Sequence, residues 1–131
     1  MSGEAWSASV ERLEECSAAR RAFVEYLRSQ ADEGADIDAA ELIFSELLSN
    51  ALRYGAVRLS IAWLPDGALL RVRDRGEPFS VPARRAPDLA APGGRGLFLV
   101  QRLAKNLSYE RASDGNVAKA VLPVRLRRRS F

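Results

Sequence analysis

Two polar residues stand where a helical pattern asks for hydrocarbon. Across residues 41–54, ELIFSELLSNALRY, an apolar stripe runs through Leu42, Ile43, Leu47, Ala51 and Tyr54 at i, i+3, i+4, i+7 spacing, and Glu46 and Asn50 fall inside it. Lying four apart, they sit one above the other on the helix. Burying an amide without a partner costs about 2–7 kcal/mol, and a lone carboxylate costs more. The pair therefore needs either a hydrogen-bond network of its own or a wet, ligand-filled cleft, and the helix alone leaves both open. Chemically, the carboxylate can take up a proton and the amide oxygen can ligate a hard cation.

A second carboxylate has the same character. In residues 68–74, Leu70, Val72 and Asp74 share one face of a strand, and Leu69, Arg71 and Arg73 the other. If the Leu70/Val72 face is the core face, Asp74 points inward at the strand's end, beside Gly76. A strand-end Asp that merely caps a turn has the same pattern. Further on, Gly93-Gly94-Arg95-Gly96 precedes an apolar run, and glycines at a helix start leave backbone N–H groups open to an anion. A hinge would look alike. Taken together these are a proton acceptor, a cation ligand, a reader for an amino group and bare amides for phosphates, the parts of a nucleotide–magnesium site. No GxxxxGK[ST] phosphate loop occurs, and the only lysines are Lys105 and Lys119.

The elements that must position these groups follow from periodicity. Residues 6–10 alternate as a short first strand, and Leu13, Cys16, Ala19, Phe23, Tyr26 and Leu27 stripe a helix over about 10–30. After a linker at 32–36, Asp38 is the expected N-cap of the Glu46 helix, with Glu41 three residues on and Gly55 closing the other end. Residues 57–63 and 68–74 read as a hairpin turning at Pro65-Asp66-Gly67. The stretch 77–92 holds Pro78, Pro82, Pro87 and Pro92, so no regular element forms there and a lid is expected. A helix over 97–104 and strands over 107–112 and 116–124, joined at Asp114-Gly115, complete the chain.

Composition narrows the function classes. The chain has 131 residues, 47% of them hydrophobic, which suits one domain with a real core. It contains no histidine, which excludes a Ser-His-Asp triad, a His-ligated zinc and a phosphohistidine on this chain. The one cysteine, Cys16, cannot form an intrachain disulfide and reads as a packing residue. No apolar run approaches a membrane span and no signal-peptide pattern opens the sequence, so the expected location is the cytoplasm. The net charge is +3, with arginines gathered in the tail 125–131. No basic stripe with interleaved aromatics appears, so direct nucleic-acid binding is not expected.

In this order the motifs resemble the GHKL, or Bergerat-fold, ATPase superfamily, and most of all its small anti-sigma-factor serine/threonine kinase branch. The N box reads Glu46-Leu47-Leu48-Ser49-Asn50-Ala51. The first glycine box reads Asp74-Arg75-Gly76 and the second Gly94-Arg95-Gly96-Leu97-Phe98-Leu99-Val100. Gly115-Asn116 stands where members often carry Gly-Thr. The resemblance implies an α/β two-layer sandwich of the α+β kind, its mixed, largely antiparallel sheet covered on one face by about three helices. It implies a single ATPase domain over 1–124, with a lid at about 77–93 and a basic tail. By the same resemblance the cofactors are ATP and Mg2+, Asn50 is the metal ligand and Glu46 the catalytic base. Asp74 accepts from the adenine amino group and Gly76 allows close approach. Arg53, Gly94, Arg95, Gly96, Leu97 and Asn116 complete the nucleotide contacts. The implied partners are a sigma factor and an anti-anti-sigma protein of the STAS type, with the chain a homodimer. A nucleotide-sensing partner-switch protein without transfer, or a histidine-kinase catalytic domain acting in trans, are the other readings.

Overall fold

The computed structural model describes residues 3–75, 94–112 and 115–128. Strand β1 (Trp6–Val10) leads through a 3-10 turn at Leu13–Glu15 into helix α1 (Cys16–Gln30), then α2 (Ile37–Leu52). Strands β2 (Val57–Leu64) and β3 (Gly67–Asp74) follow, then α3 (Gly94–Leu103), β4 (Asn106–Ala112) and β5 (Gly115–Leu122). Among the described residues the strands form one five-stranded sheet in the order β1-β2-β3-β5-β4. Every neighbouring pair is antiparallel, so the sheet is uniform rather than mixed. The two tight hairpins, β2–β3 and β4–β5, account for two pairings. The long-range pairings β1–β2 and β3–β5 join them.

Strand parity sorts the side chains. Ala68, Leu70, Val72 and Asp74 of β3 turn to the same side as Leu59 and Ile61 of β2 and Ala118, Ala120 and Leu122 of β5, and all are buried. Helices α1, α2 and α3 lie on that side as a second layer, a two-layer α+β sandwich. Phe23 of α1 stacks on Phe44 of α2 at 4.2 Å between ring centroids, and Trp6 of β1 meets both edge-on. Large rings like these dominate a small core, each burying roughly 150–250 Å². Trp63 stays at the margin, where its indole N–H donates to the Tyr26 hydroxyl at 2.8 Å. Past β5 the chain runs along the end of α1: Asp32 N donates to Arg125 O and Arg127 N to Gln30 O.

Candidate nucleotide site

Helix α2 carries the first two candidate residues. It starts at Ile37, and its N-cap is Asp36, whose Oδ1 accepts from Ala39 N at 3.0 Å, not the expected Asp38. The reason is packing. Ala39 and Ala40 are buried, so the helix must already be formed there, and Asp36 is itself held by its N–H to Pro123 O. Asp38 becomes a first-turn acid, which suits the positive end of the dipole. At the other end the helix stops at Leu52 with Arg53 as C-cap, so Tyr54 lies beyond it, 40% exposed, and Gly55 follows at φ +112°.

Glu46 and Asn50 are half-buried, beside the fully packed Ile43, Leu47 and Ala51 of the same helix. Among the described residues neither side chain makes a hydrogen bond or ion pair, and in particular they do not bond each other. The self-contained Glu–Asn network that would have explained them structurally is therefore absent. A half-buried polar group without a protein partner is satisfied by water or by a ligand.

Asp74 is where strand parity puts it: on the helix side of the sheet, 4% exposed, at the last position of β3. It sits opposite Val57, the first residue of β2, and opposite Asn116 of β5. The Asn116 amide, itself 5% exposed, donates from Nδ2 to Asp74 Oδ1 at 3.1 Å. That bond orients the carboxylate and offsets part of its desolvation, and a carboxylate has room for further donors. Since α2 ends just before β2 begins, Asp74 lies at the end of the sheet where Asn50 occupies the last turn of α2. Arg53 is exposed at that helix end.

Gly94, Arg95, Gly96 and Leu97 form the first turn of α3, inside the helix and not ahead of it. First-turn N–H groups lack acceptors within the helix, which is what an anion at these positions would use. The helix is fixed by Val100, fully buried, and packs against α2. Gly76 and the expected lid at 77–93 lie outside the described residues. Gly115 of this corner was legible as a turn residue and as a motif position, but not as a close-approach glycine. It opens β5 at φ +154°, and a Cβ there would fall 1.8 Å from Asp74 O. It is the residue that lets β5 come close enough to Asp74 for Asn116 to reach it.

The family model of the histidine kinase-like ATPase domain matches residues 10–122, from the end of β1 to the end of β5. The chain belongs to that family. No curated protein matches it. Domains of this kind bind ATP, usually with Mg2+, and support ATP-dependent, kinase-like activity in general. The donor set fits such ligands by its chemistry: an oriented buried carboxylate for an amino group, and an amide and a carboxylate half-buried without partners among the described residues. Among the described residues no three His, Cys, Asp or Glu side chains gather as a metal cage. Asn50 alone suits Mg2+, which is commonly held by one or two protein oxygens together with phosphates and waters.

Proposed function

We propose that this chain is an ATP-dependent protein-serine kinase of the anti-sigma-factor type, which holds a sigma factor and phosphorylates a serine on a STAS-type anti-anti-sigma partner, acting as a homodimer. The reading rests on one observation above the rest: Glu46 and Asn50 stay half-buried on α2 and, among the described residues, without a hydrogen-bond or ion-pair partner, at the same end of the fold as the Asp74–Asn116 pair. Asp74 takes the adenine amino group as donor, Gly76 keeps the backbone close, and Asn116 holds the carboxylate in place. Asn50, Arg53 and the first turn of α3 at Gly94, Arg95, Gly96 and Leu97 face the phosphates. Mg2+, when bound at Asn50, neutralises phosphate charge. Glu46 takes the proton from the attacking serine hydroxyl.

The test separates binding from transfer. ATP with Mg2+, but not Mg2+ alone, should raise the melting temperature of the purified chain, because a ligand bound only by the folded state stabilises it. Asn50→Ala should remove that shift. Glu46→Gln should keep it while lowering phosphotransfer to a STAS partner by about 10²–10⁴-fold, the usual worth of a positioned base. Unchanged transfer by Glu46→Gln would remove Glu46 from the chemistry, and an ATP·Mg2+ response undiminished in Asn50→Ala would move the nucleotide elsewhere.

A further inference from the structure

The outward face of the sheet concentrates positive charge where strand pairing disfavours it. Among the described residues no helix covers this face. Two cross-strand rows run over its middle. In one, Ser60 of β2, Arg71 of β3 and Lys119 of β5 stand side by side; in the other, Arg58, Arg73 and Val117 do. Arg58 thus faces Arg73 directly, and Arg71 faces Lys119. Like charges directly opposite each other destabilise a ladder. The rows are two residues apart along the strand, about 7 Å, and the strands about 4.8 Å apart. Four cations therefore frame a patch the size of a small anion.

Two of the four are already compensated from the edges: Arg58 pairs with Glu4, ahead of β1, and Lys119 with Glu110 of β4 at 2.8 Å. Lys119, with a smaller share from Arg71, holds the Glu110 carboxyl below the usual range. Arg71 and Arg73, on the central strand, make no hydrogen bond or ion pair among the described residues. Between them and the edges lies a cavity of about 250 Å³. Its lining includes Ser60, 8% exposed as a whole residue, whose hydroxyl can donate into the cavity. Glu4 and Glu110 also line the cavity, but Arg58 and Lys119 already engage them, so among the described residues cationic donors outnumber the carboxylates there. Guanidinium forks suit phosphate oxygens in particular.

We propose that the helix-free face of the sheet is a second anion site, in which Arg71, Arg73 and Ser60 bind a compact phosphate-class ligand of diphosphate size. Glu4 and Glu110 at the two rims define that size: a polymeric polyanion crossing the sheet must pass a carboxylate on either side. No aromatic side chain lies in either row to stack a base, which separates the site from a single-strand nucleic-acid platform. The site is independent of the nucleotide corner, since its residues alternate away from Asp74.

Inorganic diphosphate titrated into the full chain tests this, with sodium chloride at matched ionic strength as the reference. Diphosphate should raise the melting temperature by roughly 3–6 °C at about tenfold over its dissociation constant, and amide resonances of β3 and β5 should move. The double variant Arg71→Thr/Arg73→Thr should lose both responses. It should also melt higher than the parent chain at low salt, with the gap closing as salt screens the repulsion. Asn50→Ala should keep the diphosphate response, whatever happens to its ATP response. The site is overturned if chloride reproduces the shift, if the arginine variant retains it, if Asn50→Ala abolishes it, or if oligoglutamate or an oligonucleotide binds more tightly than diphosphate.

Discussion

Gly115 bears more of the candidate site than its place in a hairpin suggests. Its φ of +154° costs a substituted residue conformational strain, of order 1–3 kcal/mol. Its second constraint is contact: an added Cβ would lie 1.8 Å from Asp74 O and 2.8 Å from the carbonyl carbon behind it. Both are backbone atoms that cannot rotate aside. Gly55 separates the two terms, because it also has positive φ, +112°, yet open space around its Cβ position. Gly55→Ala should therefore lower stability by about 1 kcal/mol. Gly115→Ala should lower it clearly more and weaken the ATP·Mg2+ response, because β5 must retreat from Asp74 and carry Asn116 with it. Thermal unfolding of the two variants, with and without nucleotide, decides it; equal losses would leave the close approach without consequence. Alternation alone made the burial of Asp74 legible. It could not show why Gly115 is glycine, because a turn glycine and a close-approach glycine are spelled alike.

Among the elements, α2 does the positioning, and its start shows how local signals compete. Asp36 and Asp38 both precede helical sequence, and Glu41 stands three residues after Asp38, the spacing of a capping box. The cap falls on Asp36 because the packing of Ala39 and Ala40 against the core extends the helix back to Ile37. Asp36→Ala should accordingly cost about 1 kcal/mol, the usual worth of an N-cap oxygen. Asp38→Ala should cost less, since it loses only a dipole interaction of about 0.3–1 kcal/mol. A chemical denaturation midpoint for each variant checks the order. The same limit explains what else was and was not readable. The hairpins β2–β3 and β4–β5 announce themselves by turn residues and alternation. The pairing of β3 with β5, which brings Asp74 to Asn116, joins strands separated by a helix. No periodicity encodes it, and the motifs gave Asp74 and Asn116 as nucleotide contacts without giving the pairing that joins them. The helical start at Gly94 was hidden for a related reason: glycine opposes helix in isolation, and the buried Val100 overrides it.

At the scale of the whole molecule, the positive charge is almost entirely arginine. Of the 20 Lys and Arg residues only Lys105 and Lys119 are lysines, so little of the basic charge titrates below the guanidinium range, above about 12. Alkaline stability then turns on the few groups that ionise sooner, and among the described residues Tyr109 is one that the fold perturbs strongly. It lies on the helix side of β4 opposite Ala118, and burial pushes its phenol up to about 12. In the unfolded chain a tyrosine ionises near 10. Between these values the unfolded chain releases a proton that the folded chain retains, so folding is linked to proton retention and stability falls as pH rises. The contribution is fully present below about pH 10 and is lost as pH climbs through about 12, a total on the order of 2–3 kcal/mol. Tyr109→Phe should be less stable or equal at neutral pH, yet flatter than the parent in a plot of unfolding free energy against pH over that window. It should also delete the component of the ultraviolet phenolate titration that appears near 12. A parent and variant with parallel pH profiles would show that the Tyr109 ring reaches water in solution and that β4 does not seal the core on this side.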